Sequence, residues 1–513
     1  MIMSLTRREF LGLSGVLLSG ASLGLIKSKP PNGSINKNVL NIAYPTDIAG
    51  WEPSQATPLQ SSILKCVFDQ PLELDKNLNL TPSIVTDYQW LDRHGQRLKL
   101  HFRNNIRFQN GDLFTALDFK FSFFDRVKLL PNTLLAGIWG AIDKIELPDL
   151  YTAVVHFQYP MVNAISMLAD IPAYILPHQY YLKVGEKQFR RKPIGSGPFQ
   201  LVEYQPEQRI VLEANPVYWQ SKPYFSQLNI LIVKDHISRA VMLESGQVDL
   251  SLNFSSYTAN KLGEVPALDA KFQPTTGIML LQLVNQGILK DKSVRLALHH
   301  AINKPLLSQA LYQGHANPIY TPAGVSMPAY DENFSLLYNP AYAKQLLRAS
   351  GINFDKQQPL NIYTTKGILP NDLELVKAIA QMWNNIGIKT KINVMTQTMI
   401  TAYQNGHKFD GPVLYGWNPA TGDPSTYSGF LMNPNITFSL WQSDDIKTHI
   451  SPALAALDMP SRIQEFKKFD RWQVSQGYSI PLFQNFSAIV SRNSLNIPET
   501  ANGILDMKLI KRV

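Results

Sequence analysis

An α/β fold in two lobes, with an α+β lobe inserted early, is what this sequence predicts. Three observations carry that prediction. The chain has 513 residues, too many for one hydrophobic core. Two strand–helix–strand units can be read from periodicity, the first ending near residue 252 and the second starting at 360. The stretch from about 55 to 185 looks different and reads as α+β. Composition agrees with a globular protein, at 45% hydrophobic and 17% charged residues. The net charge of +9 is spread out, and its densest cluster, Arg190–Lys192, is short and precedes a proline. A solvated face explains that cluster better than a polyanion site, so no nucleic-acid partner is expected.

Taken in order, residues 1–30 read as a signal peptide. Arg7 and Arg8 form a basic head, and a moderately apolar stretch from Phe10 to Ile26 follows. "TRREFLG" resembles the twin-arginine export motif, with Gly12 where a lysine is common; an ordinary Sec signal is the alternative. Ser19-Gly20-Ala21 is a passable cleavage site, and an uncleaved membrane anchor stays open. No cysteine follows the apolar stretch, which excludes a lipoprotein anchor, and no later apolar run reaches the roughly 18 residues of a membrane span. Cys66 is the only cysteine, so no intramolecular disulfide and no zinc ribbon can form.

In the next section, "LKLHFRNNIRF" is strand-like, "QNGD" is a turn, and Thr115 with Asp118 caps a helix running to about Val127. "YTAVVHF" is another strand. Residues 196–219 form a hairpin around "QPEQ". The first crossover is "LNILIV", a helix stopped by Gly246, then "VDLSL". The second is "LNIYT", a helix with a capping box from Asn371 and Glu374, a stop at Gly387, and "IKTKINV". Between them, Asn339 caps a short helix with Pro340 in its first position and Gly351 as its stop.

Catalytic signatures are missing. The ten histidines form neither HExxH nor an i, i+4 pair, and His299 with His300 point in different directions on a helix. There is no phosphate-cradling G-x-x-x-x-G-K and no dinucleotide G-x-G-x-x-G. The one G-x-S-x-G, "GASLG", falls within the signal segment, away from any strand–turn–helix context. No metal, cofactor or catalytic residue is expected, and a binding protein fits better than an enzyme. A dispersed carboxylate pair would leave no motif, so a secreted hydrolase is the alternative.

Several stretches in one order bear a resemblance. "FRNNIRFQNGDLFTALDFKFSF", "IGSGPFQLVEYQPEQRIVLEANPVYW", "ESGQVDL", "VRLALHHAINKPLL", "YNPAYAKQLL" and "GWNPATGDP" are together similar to the family 5 extracellular solute-binding proteins, the peptide/nickel class serving ABC importers. The resemblance implies a type II periplasmic binding protein: two α/β lobes with a hinge, plus an inserted lobe, closing on solute and docking on an inner-membrane ABC permease. The expected partition is lobe I at 36–54, 186–276 and 482–513, the inserted lobe at 55–185, and lobe III at 277–481. "GIMLLQLV" (277–284) and "YSIPLFQNF" (478–486) would be hinge crossings, or simply buried strands. Periplasmic localisation, a monomer and a peptide-like or other small organic solute complete the expectation. A chaperone or sensor on the same fold is a further alternative.

The resemblance also places site residues. Trp417 and Tyr415 would stack on ligand, or serve the core; Asn418, Ala420 and Thr421 share their loop. Peptide-binding members carry, three positions after this tryptophan, an aspartate that pairs with the ligand ammonium, and here that position is Ala420. Asp423 matches the family's turn-forming aspartate and is expected to accept N–H bonds within the loop, with direct ligand contact as the alternative. Lys366 stands near a basic residue that meets ligand carboxylates in dipeptide binders, with an exposed lysine as the alternative. Gln55 and Thr57 fall on the family's first ligand-lining loop. A cation retained and an anion lost would favour an anionic or N-blocked solute.

Overall fold

Two long strands organise the computed structural model, which describes residues 38–513 except 49, 437, 438 and 501. The expected signal peptide, Arg7 and Arg8 included, lies outside the described residues. Leu268–Gln282 and Ser479–Arg492 run antiparallel, from Leu268 opposite Arg492 to Gln282 opposite Ser479. Their register shifts between Pro274 and Ile278, where proline offers no ladder donor, and beyond Pro274 the first strand is buried throughout.

These strands sit inside an eleven-stranded mixed sheet. Val413–Trp417, Leu360–Thr364 and Thr390–Val394 extend it on one side. Leu250–Leu252, Val39–Tyr44, Gln227–Ile232 and the hairpin Arg209–Ala214/Phe199–Gln205 extend it on the other. Both crossovers are parallel. Gln227–Ile232 and Leu250–Leu252 each pair with Val39–Tyr44 between them, while Leu360–Thr364 pairs directly with Thr390–Val394. A separate antiparallel sheet, ordered Val85–Trp90, Arg97–Phe102, Thr152–Phe157, Ile142–Asp149, forms the α+β section.

Side chains collect into distinct cores. One gathers residues from 278 to 483 together with Leu78, and fully buries Trp383, Phe466 and Ile480. A second joins Leu40, Ile42, Leu228 and Ile230 to the C-terminal Ile510. A third takes the early α+β section, from Leu72 to Ile175. Helix Pro58–Val67 falls in the expected inserted span, yet its Ile63, Leu64 and Val67 pack in the second core. Tyr181 does the same.

Local signals explain most boundaries. Asn339 accepts from the Tyr342 N–H at 2.9 Å and Gly351 ends that helix at φ +70°. Asn371 departs from expectation. It takes a left-handed φ of 54°, and its side chain donates to the Leu311 carbonyl instead of capping helix Asp372–Asn385. Asp372 does the organising: its carboxylate accepts from the N–H groups of Gly367, Ile368 and Leu369. Those bonds hold its carboxyl below the usual range against the opposing effect of burial.

The Gly-Ser-Gly-Pro stretch before the hairpin has a steric reason. A Cβ on Gly195 would lie 2.0 Å from the Val67 carbonyl oxygen, and one on Gly197 would lie 2.6 Å from the Val67 carbonyl carbon. The Gly197 N–H donates to that same oxygen at 2.9 Å. Gly195→Ala is therefore expected to lower unfolding free energy by about 2 kcal/mol, read as a shifted urea midpoint at unchanged slope.

Candidate functional site

The strand Val413–Trp417 delivers its last residue to a rigid loop. Trp417 pairs across the ladder with Ile278, donates its indole N–H to the Thr426 carbonyl at 2.7 Å, and stacks on Phe430 with ring centroids 4.5 Å apart. The Pro419 carbonyl accepts from the Thr276 hydroxyl, and the Ala420 carbonyl from the Asn502 amide at 3.1 Å. Backbone groups that a loop would expose to water are thereby tied down.

Asp423 holds the rest of the loop. Its Oδ1 accepts the Ser425 N–H at 3.0 Å and caps the short 3-10 turn Pro424–Thr426. Its Oδ2 accepts from Ser166 at 2.7 Å and from the Arg462 guanidinium, in a pair that is almost fully buried. Arg462 also donates to the Val162 carbonyl at 2.6 Å. Ser166 and Val162 belong to the α+β section, so this one carboxylate joins two cores.

Beside the loop lies a cavity of about 860 Å³, within the range of small-molecule sites. Trp417, Asn418, Pro419, Ala420 and Phe430 form one wall. The α+β section forms the other, through Gly137, Met161, Met167 and Asp170 among others, while Ala56 and Pro58 close an edge. The walls are mainly apolar, with asparagine amides and the Ser425 and Thr426 hydroxyls interspersed.

Asp170 is the only charged side chain among the described residues lining this cavity. Its Oδ1 accepts the Ile171 N–H at 2.7 Å, and no Lys, Arg or His among the described residues pairs with it. Burial, only partly offset by that N–H bond, pushes its carboxyl up to about 7. Tyr159 is the other titratable group on the walls.

The expected site residues divide. Trp417, Asn418 and Ala420 line the cavity. Tyr415 is buried in the first core, and Thr421 is buried inside the loop, its hydroxyl 3.4 Å from the Asp423 nitrogen. Lys366 is exposed and absent from the cavity wall. Gln55 is exposed and donates to the Asn132 carbonyl, and Thr57 caps helix Pro58–Val67 in a reciprocal box with Gln60; the neighbours Ala56 and Pro58 are the ones that reach the cavity. Asp170 went unseen, because a lone aspartate in "LADIPAY" carries no motif or spacing.

With this geometry in place, comparison with known proteins gives a consistent result. The profile for bacterial extracellular solute-binding proteins, family 5 Middle, matches residues 79–438. The peptide transport periplasmic protein SapA of Salmonella typhimurium is 23% identical, over 91% of this chain and 90% of its own. The dipeptide-binding protein of Escherichia coli is 25% identical, over 73% and 75%. The structure of HbpA2 from Haemophilus parasuis superposes with a TM-score of 0.84 at 18% identity, covering 93% of this chain and all of that one. The fold is that of the type II periplasmic binding proteins, and the chain belongs to the family 5 bacterial extracellular solute-binding proteins. Among the described residues, no helix is long and apolar enough to cross a membrane.

Proposed function

We propose that this family member is the solute-capturing subunit of an ABC importer, taking a peptide-like or other small organic molecule into the cavity beside Trp417. It acts as a periplasmic monomer, closes over its solute and docks on an inner-membrane permease. The observation that carries this reading is the position of the cavity, walled on one side by the family's Trp-to-Asp423 loop and on the other by a separate core. Lobe closure would turn about Leu268–Gln282 and Ser479–Arg492, which leave the first core at Ile278 and Phe483 and enter a separate core, shared with Ala43, through Leu268, Ala488 and Val490. The proposed lobes keep the expected partition, with helix Pro58–Val67 moved to lobe I.

The alternative of a hydrolase with a dispersed carboxylate pair needs two carboxylates in the cavity, and Asp170 stands alone on its wall among the described residues. The solute-binding reading therefore has the better support.

Native mass spectrometry of protein purified without denaturation is expected to show a bound organic solute that is released unchanged. Turnover of that molecule would overturn the proposal. Gly137→Trp locates the site. Gly137 lies in helix Leu134–Trp139 on the cavity wall, and a Cβ there meets nothing within 4 Å. An indole at this position occupies cavity space without disturbing the fold, and losing a helical glycine favours the helix. Solute affinity is expected to fall about tenfold or more, with thermal stability kept. Unchanged occupancy would put the site elsewhere.

A further inference from the structure

We infer that Asp170, on the wall opposite the Trp417 loop, is the anionic anchor of this cavity, and that the solute carries an organic cation on an apolar body. The inference rests on the cavity being the solute site. Ala420 has no carboxylate to offer, and Asp423 is consumed by Arg462, Ser166 and the Ser425 N–H. The structure nevertheless leaves one carboxylate in the cavity, supplied by the other wall.

Its surroundings suit a cationic guest. Asp170 accepts one backbone N–H at 2.7 Å through Oδ1, and Oδ2 has no hydrogen-bond or ion-pair partner among the described residues. A half-buried carboxylate among apolar walls without a counter-ion is costly, and an incoming ammonium would relieve that cost with a charge-assisted bond. Trp417 and Phe430, stacked on the facing wall, offer aromatic surface on which the cation's alkyl substituents can rest. Lys366, whose charge would have favoured an anion, is absent from the cavity wall. The preference is thus the reverse of the one that Ala420 and Lys366 suggest from sequence.

Protonation gives the inference a second handle. The groups around Asp170 are the Ile171 N–H, Tyr174 and the Gln70 side chain on its carbonyl, with Tyr159 on the same wall of the cavity. Burial raises Tyr174, so of this pair Asp170 is the one that changes charge near neutrality. A cation binds the ionised form, so affinity should rise with pH through about 7 and level off above it.

The test uses one body in three charge states: Leu-Leu-Leu-amide, N-acetyl-Leu-Leu-Leu-amide and N-acetyl-Leu-Leu-Leu, titrated calorimetrically into the full chain and into Asp170→Asn. The asparagine keeps an oxygen for the Ile171 N–H, and a melting curve checks its fold. The cationic amide is expected to bind at least about tenfold tighter than the neutral one, and Asp170→Asn should bring the two within about twofold. Between pH 5.5 and 7.5 the wild-type affinity for the cationic form should rise by at least about tenfold, with no such rise in Asp170→Asn. Equal or tighter binding of the neutral or anionic form, or a preference that survives Asp170→Asn, overturns the inference and leaves the solute-binding reading standing. Failure of all three to bind also overturns it. A copurified solute in the native mass spectrum then preserves the broader reading, and an empty spectrum removes both.

Discussion

Asp423→Ala is expected to lower the unfolding free energy by about 3–5 kcal/mol, read from urea melts of the full chain. The reason lies in what remains. Arg462 is buried and, among the described residues, would be left facing only the carbonyls of Val162, Ala456 and Leu457. The Ser166 hydroxyl and the Ser425 N–H lose an acceptor at the same time. Asp423→Asn should cost less, because an amide oxygen can still serve Ser166 or Ser425 while the charge is gone. The double variant Asp423→Ala/Arg462→Met should recover part of the loss, since removing both charges avoids the stranded cation. If Asp423→Ala unfolds within about 1 kcal/mol of wild type, the carboxylate is not the crossbar between loop and α+β section that its contacts describe.

Much of the framework was legible in the sequence, for physical reasons that particular elements make plain. Helix Pro340–Ala349 announces itself by a capping asparagine, a proline at its first position and a glycine stop, all local chemistry. The crossovers show through their apolar periodicity, and the Gly-Ser-Gly-Pro stretch through the steric demand of Val67. What stayed hidden depends on contacts distant in sequence. Asn371 looked like a cap, but tertiary placement turned its amide toward Leu311 and left the loop to Asp372. The helix from Ala116 widens into a π turn at Phe121–Asp125, where Ser122 bonds the Asp118 carbonyl and receives the Leu176 N–H from a distant segment. The candidate site divides the same way. Its loop wall carries a motif, whereas the opposite wall, with Asp170, is assembled by folding alone.

A second buried pair governs the edge of the cavity, and Glu52→Ala should be as damaging as the loss of Asp423, at about 3–5 kcal/mol. Glu52 Oε1 accepts from the Arg126 guanidinium at 2.8 Å with both side chains fully buried, and Oε2 accepts the Ser54 N–H at 2.9 Å. Burial pulls the Arg126 pKa down while Glu52 supports its charge, and Arg126 Nη2 already lacks a partner among the described residues. Without Glu52 the guanidinium would be an uncompensated charge in an apolar interior, and the 3-10 turn Pro53–Gln55 would lose its cap. That turn leads directly into Ala56 and Pro58, which close the cavity edge. The damage should therefore be local before it is global. Amide hydrogen exchange at residues 54–57 is expected to accelerate in Glu52→Ala under conditions where the long strands Leu268–Gln282 and Ser479–Arg492 stay protected. Glu52→Gln, which keeps one acceptor oxygen and loses the charge, should fall between wild type and Glu52→Ala in both measurements. Uniform acceleration across the chain would mean that the pair stabilises the fold as a whole, without fixing this edge in particular.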